Sequence, residues 1–246
     1  METRLFISII LIIWFAGANA FADQKGQFEI VSNSQEIFGD ELSSLYNEII
    51  AKDENIALEI QVPENYNSEN PPGIMVYISP QNQINIPRGW LELMDTENLI
   101  WVAARESGNK TFITKRILLT LAGLQYVQEN FSINSNRVYI SGLSGGGRIA
   151  SMVATQYSQF FKGAIYNCGV NFWNDINEEQ LNLIKNNRFV FLTGTDDFNL
   201  NDTKKVYAKY KKANVKNIDL IIIPRMGHTN PKKNRFAKAI NFLDQK

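Results

Sequence analysis

The sequence predicts an α/β fold, a mostly parallel central sheet with helices on both faces, and three observations carry that prediction. Apolar, β-branched runs of strand length alternate with segments of helical periodicity, as a sheet built from crossover helices requires. Most of these runs are almost continuous in apolar residues, as expected of strands covered on both sides. A glycine-flanked serine, Ser144, stands where one such strand gives way to a helix.

Taken in order, the first 20 residues read as an export signal. Arg4 and the amino terminus form a weakly positive start, residues 5–15 are almost wholly apolar, and Ala18-Asn19-Ala20 fits a small-x-small cleavage rule. Ala20-Phe21-Ala22 is an alternative two residues on. The apolar stretch falls short of the ~20 residues that span a bilayer, so residues 1–20 are expected to be removed, leaving one domain over 21–246. No later segment reads as a membrane span, so stable membrane insertion is not expected after cleavage.

Residues 27–31 are read as pairing with the first clear strand, 56–63, whose partial alternation of apolar and charged residues suits a place near a sheet edge. Residues 37–50 carry partial helical periodicity through Phe38, Leu42, Leu45 and Ile49. After the break at Pro71-Pro72-Gly73, buried strands are expected at 73–79, 99–104, 137–141, 163–168, 189–193 and 218–223. Between them, 115–130 places Ile117, Leu118, Leu121, Leu124 and Val127 at helical spacing, and a helix from Gly147 carries Ile149, Met152 and Val153. Pro231 opens a last helix that turns Phe236, Ala239, Ile240 and Leu243 inward. No internal repeat or low-complexity tract interrupts this pattern.

Composition narrows the partners. Lys plus Arg and Asp plus Glu number 25 each, and residues 1–20 hold one of each sign, so the mature chain stays balanced and offers no basic stretch for nucleic acid. Cys168 is the only cysteine, which excludes an intramolecular disulfide. It reads as a buried small hydrophobe. No group of His, Cys and carboxylates has metal-ligand spacing, and no cofactor or metal is expected.

Chemistry concentrates in Gly142-Leu143-Ser144-Gly145-Gly146. A serine on so sharp a strand-to-helix turn is held in strained geometry with its hydroxyl clear of the sheet, and glycines are needed where side chains would strike the neighbouring elements. The hydroxyl becomes a nucleophile only if a base takes its proton. His228, the only histidine, follows the run 218–223 on a loop and supplies one. A carboxylate must then hold the imidazole, and Asp196 and Asp197, at the end of the run 189–193, both have the right place in the chain.

The order Ser, acid, His, each after a successive strand, resembles the α/β-hydrolase fold over residues 56–243. The likeness is greatest to small secreted esterases akin to polyhydroxybutyrate depolymerases and dienelactone hydrolases, and residues 137–168 carry most of it. The resemblance implies Ser144 as nucleophile, His228 as base and Asp197, which completes Gly-x-x-Asp, as the acid, with Asp196 a turn-capping residue. It also implies an oxyanion hole formed by the Gly145 amide and a donor after residues 73–79. Relatives often carry His-Gly there, whereas this chain reads Ser79-Pro80-Gln81; Pro80 has no amide to give, so Gln81 N–H is the expected donor.

The expected activity is hydrolysis of small-molecule or polymeric carboxylic esters by an exported enzyme, periplasmic or secreted. A serine peptidase or amidase of the prolyl-oligopeptidase type and a non-catalytic binding protein of the same fold are the alternatives. Phe172 and Trp173 either line an acyl or aromatic pocket or pack against 174–185. Arg105, Glu106 and Asn109 lie on a loop at the same sheet end as Ser144, as solvated residues or as substrate contacts. The stretch between Cys168 and Phe189 is short for a lid, which suits an open site.

Overall fold

A computed structural model describes residues 24–245 except 85 and 175. The expected export segment 1–20 lies outside the described residues. The strands β1 (Gly26–Asn33), β2 (Asn55–Val62), β3 (Gly73–Ile78), β4 (Leu99–Ala104), β5 (Val138–Leu143), β6 (Gly163–Asn167), β7 (Arg188–Gly194) and β8 (Ile218–Ile223) form one eight-stranded sheet in the order β1-β2-β4-β3-β5-β6-β7-β8. β1 and β2 pair antiparallel, β2 and β4 likewise, and every other pairing is parallel.

Seven helices pack on this sheet among the described residues: α1 (Ser34–Leu45), α2 (Trp90–Glu97), α3 (Ile113–Asn130), α4 (Gly145–Gln156), α5 (Glu178–Asn186), α6 (Leu200–Lys212) and α7 (Lys233–Leu243). Three of them, α2, α5 and α6, fall where no helix was expected, and α5 buries only Ile184. α2 is only 8 residues long, and α6 buries little more than Thr203 and Tyr210, so neither carries a broad apolar stripe. Pro231 precedes the start of α7 by two residues, and α4 begins at Gly145, two residues before the expected start.

The side-chain period of two divides the strands between two cores. Ile74, Val76 and Ile78 of β3 join Val138 and Ile140 of β5 on the face covered by α3, α4 and α6. Met75, Tyr77 and Tyr139 point the other way, toward α2 and α7. β8 departs from the expectation of a buried strand: most of its residues are only half-buried, because it pairs on one side alone and ends the sheet. At the opposite edge, β1 turns Phe28 and Ile30 to the core and leaves Val31 exposed.

One contact ties the α2 layer to the segment that leads into α7. Trp90 is fully buried, its ring stacks on Phe236 at 3.8 Å between centroids, and its Nε1 donates to the Pro231 carbonyl at 3.1 Å. Trp90→Ala removes the stacked ring and the donor together, and should lower unfolding stability by about 3–5 kcal/mol. Urea denaturation with an unchanged m value would measure it.

Candidate active site

Every candidate catalytic residue stands at the carboxyl end of the parallel strands. β5 runs to Leu143, α4 begins at Gly145, and Ser144 joins them with φ 58° and ψ −119°, a conformation that a residue with a side chain adopts only under constraint. The constraint is steric. A Cβ on Gly142 would overlap the backbone of Gly146, and one on Gly146 would overlap the Ile78 carbonyl at the end of β3. The Ser144 amide donates to the Asn167 carbonyl of β6 at 2.8 Å, and the Ser144 carbonyl accepts from Arg148 N at 3.1 Å. Its hydroxyl makes no capping bond to α4 and remains available for chemistry.

The acid and the histidine come together through the loops after β7 and β8. Asp196 N donates to the Met226 carbonyl and Thr195 N to the Ile223 carbonyl, which seats one loop on the other. Within this frame Asp197 Oδ1 lies 2.8 Å from His228 Nδ1. The second oxygen of Asp197 accepts from Thr193 Oγ1 at 2.6 Å, and Oδ1 also accepts from Asn199 N at 3.0 Å. Asp196, in contrast, is exposed and, among the described residues, accepts from the neighbouring Thr195 hydroxyl. The loop carrying His228 is anchored at its far side, where Asn230 Nδ2 donates to Tyr77 OH at 2.9 Å.

Burial by itself raises the Asp197 pKa. Hydrogen bonds from Thr193, His228, Asn199 and Cys168 outweigh it, and the carboxyl is held below its ordinary value. The carboxylate therefore fixes the tautomer: Nδ1 carries the proton and Nε2 is left as the basic atom.

Cys168 closes the back of this cluster. It follows β6 with φ 52°, is fully buried, and its thiol faces the Thr229 carbonyl at 3.5 Å. Linear spacing hides a convergence here, since ligand atoms of Cys168, Asp197 and His228 all lie within 4.8 Å of one another. Burial, then the hydrogen bond to Asp197 and its charge, push the thiol up to about 12, so it stands as a neutral donor rather than a rival nucleophile. The next residue, Gly169, packs against the Ser144 backbone, so 168–169 lie between the nucleophile on one side and the histidine loop on the other. Among the described residues no hydrogen bond joins Ser144 Oγ to His228. Such bonds are commonly long in ligand-free sites and tighten around substrate.

Two side chains of the site escaped sequence reasoning. Phe198, directly after the acid, is 76% exposed and lies over the His228 ring at 4.0 Å between centroids. Its position beside the acid was the only signal. Arg116 on α3 is buried, and its guanidinium donates to the carbonyls of Ser107 at 2.6 Å and Ser79 at 3.2 Å, clamping the loops after β4 and β3 together. Burial lowers its pKa.

The expected oxyanion donors differ in their surroundings. Gly145 is the first residue of α4, so its N–H has no partner within the helix. The Gln81 N–H donates to Ser79 Oγ at 3.0 Å, within its own loop. Phe172 and Trp173 stack on each other at 4.1 Å and both pack edge-on against Tyr210 of α6. Of the loop after β4, Arg105 pairs with Glu29 and Glu59, Glu106 accepts from Asn82, and Asn109 is exposed.

The fold recurs in solved structures. The S-formylglutathione hydrolase FrmB of Staphylococcus aureus is similar at TM-score 0.61 and 15% identity, over 89% of this chain and 96% of that one. A ferulic acid esterase is similar at TM-score 0.59 and 13% identity, over 89% and 97%. The chain has the α/β-hydrolase fold. Dipeptidyl peptidase 4 of Porphyromonas gingivalis contains a similar α/β-hydrolase region, at TM-score 0.59 and 13% identity, with 88% of this chain matching 35% of that one. A profile of the prolyl oligopeptidase family matches residues 120–181, the part of the α/β-hydrolase core that holds the elbow. Comparison with curated proteins gives no match.

Because the folded Asp197 carboxyl is the stronger acid, its contribution to stability is complete above the unfolded carboxylate range, about pH 4, and is lost as pH falls through the folded value. The stability advantage of the wild-type chain over Asp197→Asn should therefore be largest at neutral pH and shrink under acid conditions. Urea midpoints measured over a pH series check this, and an advantage independent of pH would contradict an ionised Asp197.

Proposed function

We propose that this chain is an exported serine hydrolase that cleaves carboxylic esters through an acyl-enzyme. The observation that carries the reading is the buried Asp197, which accepts from Thr193 and Asn199 and lies 2.8 Å from His228 Nδ1, at the same sheet end as a serine held at a strained elbow. Export rests on the signal-like residues 1–20.

In this reading Ser144 Oγ attacks the ester carbonyl while His228 Nε2 takes its proton. The carbonyl oxygen becomes an oxyanion and accepts from Gly145 N–H. His228 then protonates the departing alcohol as the C–O bond breaks, leaving an acyl group on Ser144. A water, deprotonated by His228, attacks the acyl carbon; the bond to Ser144 Oγ breaks, His228 returns the proton to Ser144, and the acid leaves. Asp197 stays ionised throughout and stabilises the imidazolium. α5 packs against the end of α4, where Gln180 Nε2 donates to the Gln156 carbonyl, an arrangement that suits an uncovered site.

Ser144→Ala and His228→Ala should each abolish labelling by a fluorophosphonate or lower ester turnover at least ~10³-fold, because the members of such a triad act as a unit. Retained ester turnover in the His228 variant, with no other histidine in the chain, would defeat the mechanism.

A peptidase or amidase is the second reading, favoured by the match of residues 120–181 to the prolyl oligopeptidase family. An amide nitrogen must be protonated before it leaves, and a peptidase recovers that cost through remote contacts with its substrate. The ester reading expects short-chain aryl esters to exceed matched anilides by ~10² or more in kcat/KM. Equal or faster turnover of a peptide anilide would move the assignment to a peptidase.

A further inference from the structure

The expected second oxyanion donor, Gln81 N–H, is already bonded to Ser79 Oγ at 3.0 Å, and Pro80 beside it has no N–H. A tetrahedral intermediate with one donor is poorly stabilised, since loss of a single donor in such sites costs about 10²–10³-fold in kcat. The neighbouring loop offers a replacement. Asn109, five residues past β4, is exposed, and among the described residues its carboxamide has no hydrogen-bond partner. It lies directly against the elbow: a Cβ on Gly145 would overlap Asn109 Oδ1 and stand 3.1 Å from Nδ2. The space that a side chain at 145 would fill is occupied by this amide.

The loop is held firmly enough to present it. Asn109 N donates to the Pro80 carbonyl at 2.9 Å, Gly108 N donates to Asn82 Oδ1 at 3.0 Å, and Arg116 grips Ser107 and Ser79 from beneath. A half-turn of the carboxamide exchanges Oδ1 and Nδ2, so its N–H reaches the same side of Gly145 without backbone movement.

We propose that Asn109 Nδ2 is the second oxyanion donor, acting with Gly145 N–H. As the Ser144 Oγ–carbon bond forms, the carbonyl π pair moves onto oxygen and both donors bond to it; the Ser144 proton goes to His228. When the C–O bond to the alcohol breaks, the pair returns to the carbonyl and the His228 proton leaves with the alcohol. The glycine at 145 follows from this role, since it is the residue that lets the amide approach the nucleophile. The proposal rests on the ester-hydrolase reading above, and its failure is separable from failure of that reading.

The experiment compares wild type, Asn109→Ala and Asn109→Asp in steady-state turnover of a p-nitrophenyl ester and in affinity for phenylboronic acid, whose adduct with Ser144 carries a tetrahedral oxyanion. Both variants change an exposed side chain and should melt with the wild type. The expected result is a fall in kcat of about 10²-fold in the alanine variant and at least as much in the aspartate variant, with KM little changed. Boronate affinity should fall by the same factor as kcat/KM. If wild type turns over esters and Asn109→Ala or Asn109→Asp stays within about 3-fold of it, this proposal is overturned while the hydrolase reading stands. A loss of kcat without loss of boronate affinity marks a purely structural role and also overturns it. Wild-type protein that neither turns over any ester nor takes up a fluorophosphonate removes both.

Discussion

The site depends on one close approach: the start of α4 lies so near the carboxyl ends of β3, β5 and β6 that no Cβ fits at the contact. Gly142 meets Gly146, Gly146 meets the Ile78 carbonyl, and Gly169 meets the Ser144 backbone. With these distances set by the sheet, Ser144 has no relaxed conformation and is driven to positive φ, a strain of order 1–3 kcal/mol that the surrounding hydrogen bonds must offset. What results is a serine hydroxyl at the end of a parallel strand with the first amides of a helix N-terminus beside it.

Two buried charged groups flank that contact, and the protein treats them differently. Asp197 is removed from water but receives donors from Thr193, Asn199 and His228, so its carboxyl stays below its ordinary pKa although burial alone would raise it. Arg116 has carbonyl oxygens as its hydrogen-bond partners, which satisfy its N–H groups without neutralising it. The first arrangement holds a histidine in one tautomer. The second joins two loops that bear no other regular structure, and so decides which backbone and side-chain groups face Ser144.

Legibility in the sequence followed the length and continuity of apolar pattern. Strands β3 to β7 stood out because each is buried on both faces, and α3 because eighteen residues repeat one apolar stripe. α2, α5 and α6 did not, the first two being short and the third packing through a narrow face around Tyr210. β8 has the composition of an interior strand, yet its place at the end of the sheet leaves it half-exposed, and position in a sheet is a property of pairing rather than composition.

Ser144, His228 and the acidic pair were readable because a strained elbow needs glycines and a hydroxyl needs a base, requirements that leave marks at fixed spacing. The sequence by itself determined the class of fold and marked Ser144 and His228 as the candidate nucleophile and base. Only the tertiary structure decided which of Asp196 and Asp197 meets the imidazole, by burying one against Thr193 and His228 and leaving the other in solvent. It alone brought Cys168 and Phe198 against the Asp197–His228 pair and set the Asn109 amide against Gly145, since separations along the chain bear no relation to the through-space contacts that crossover connections create.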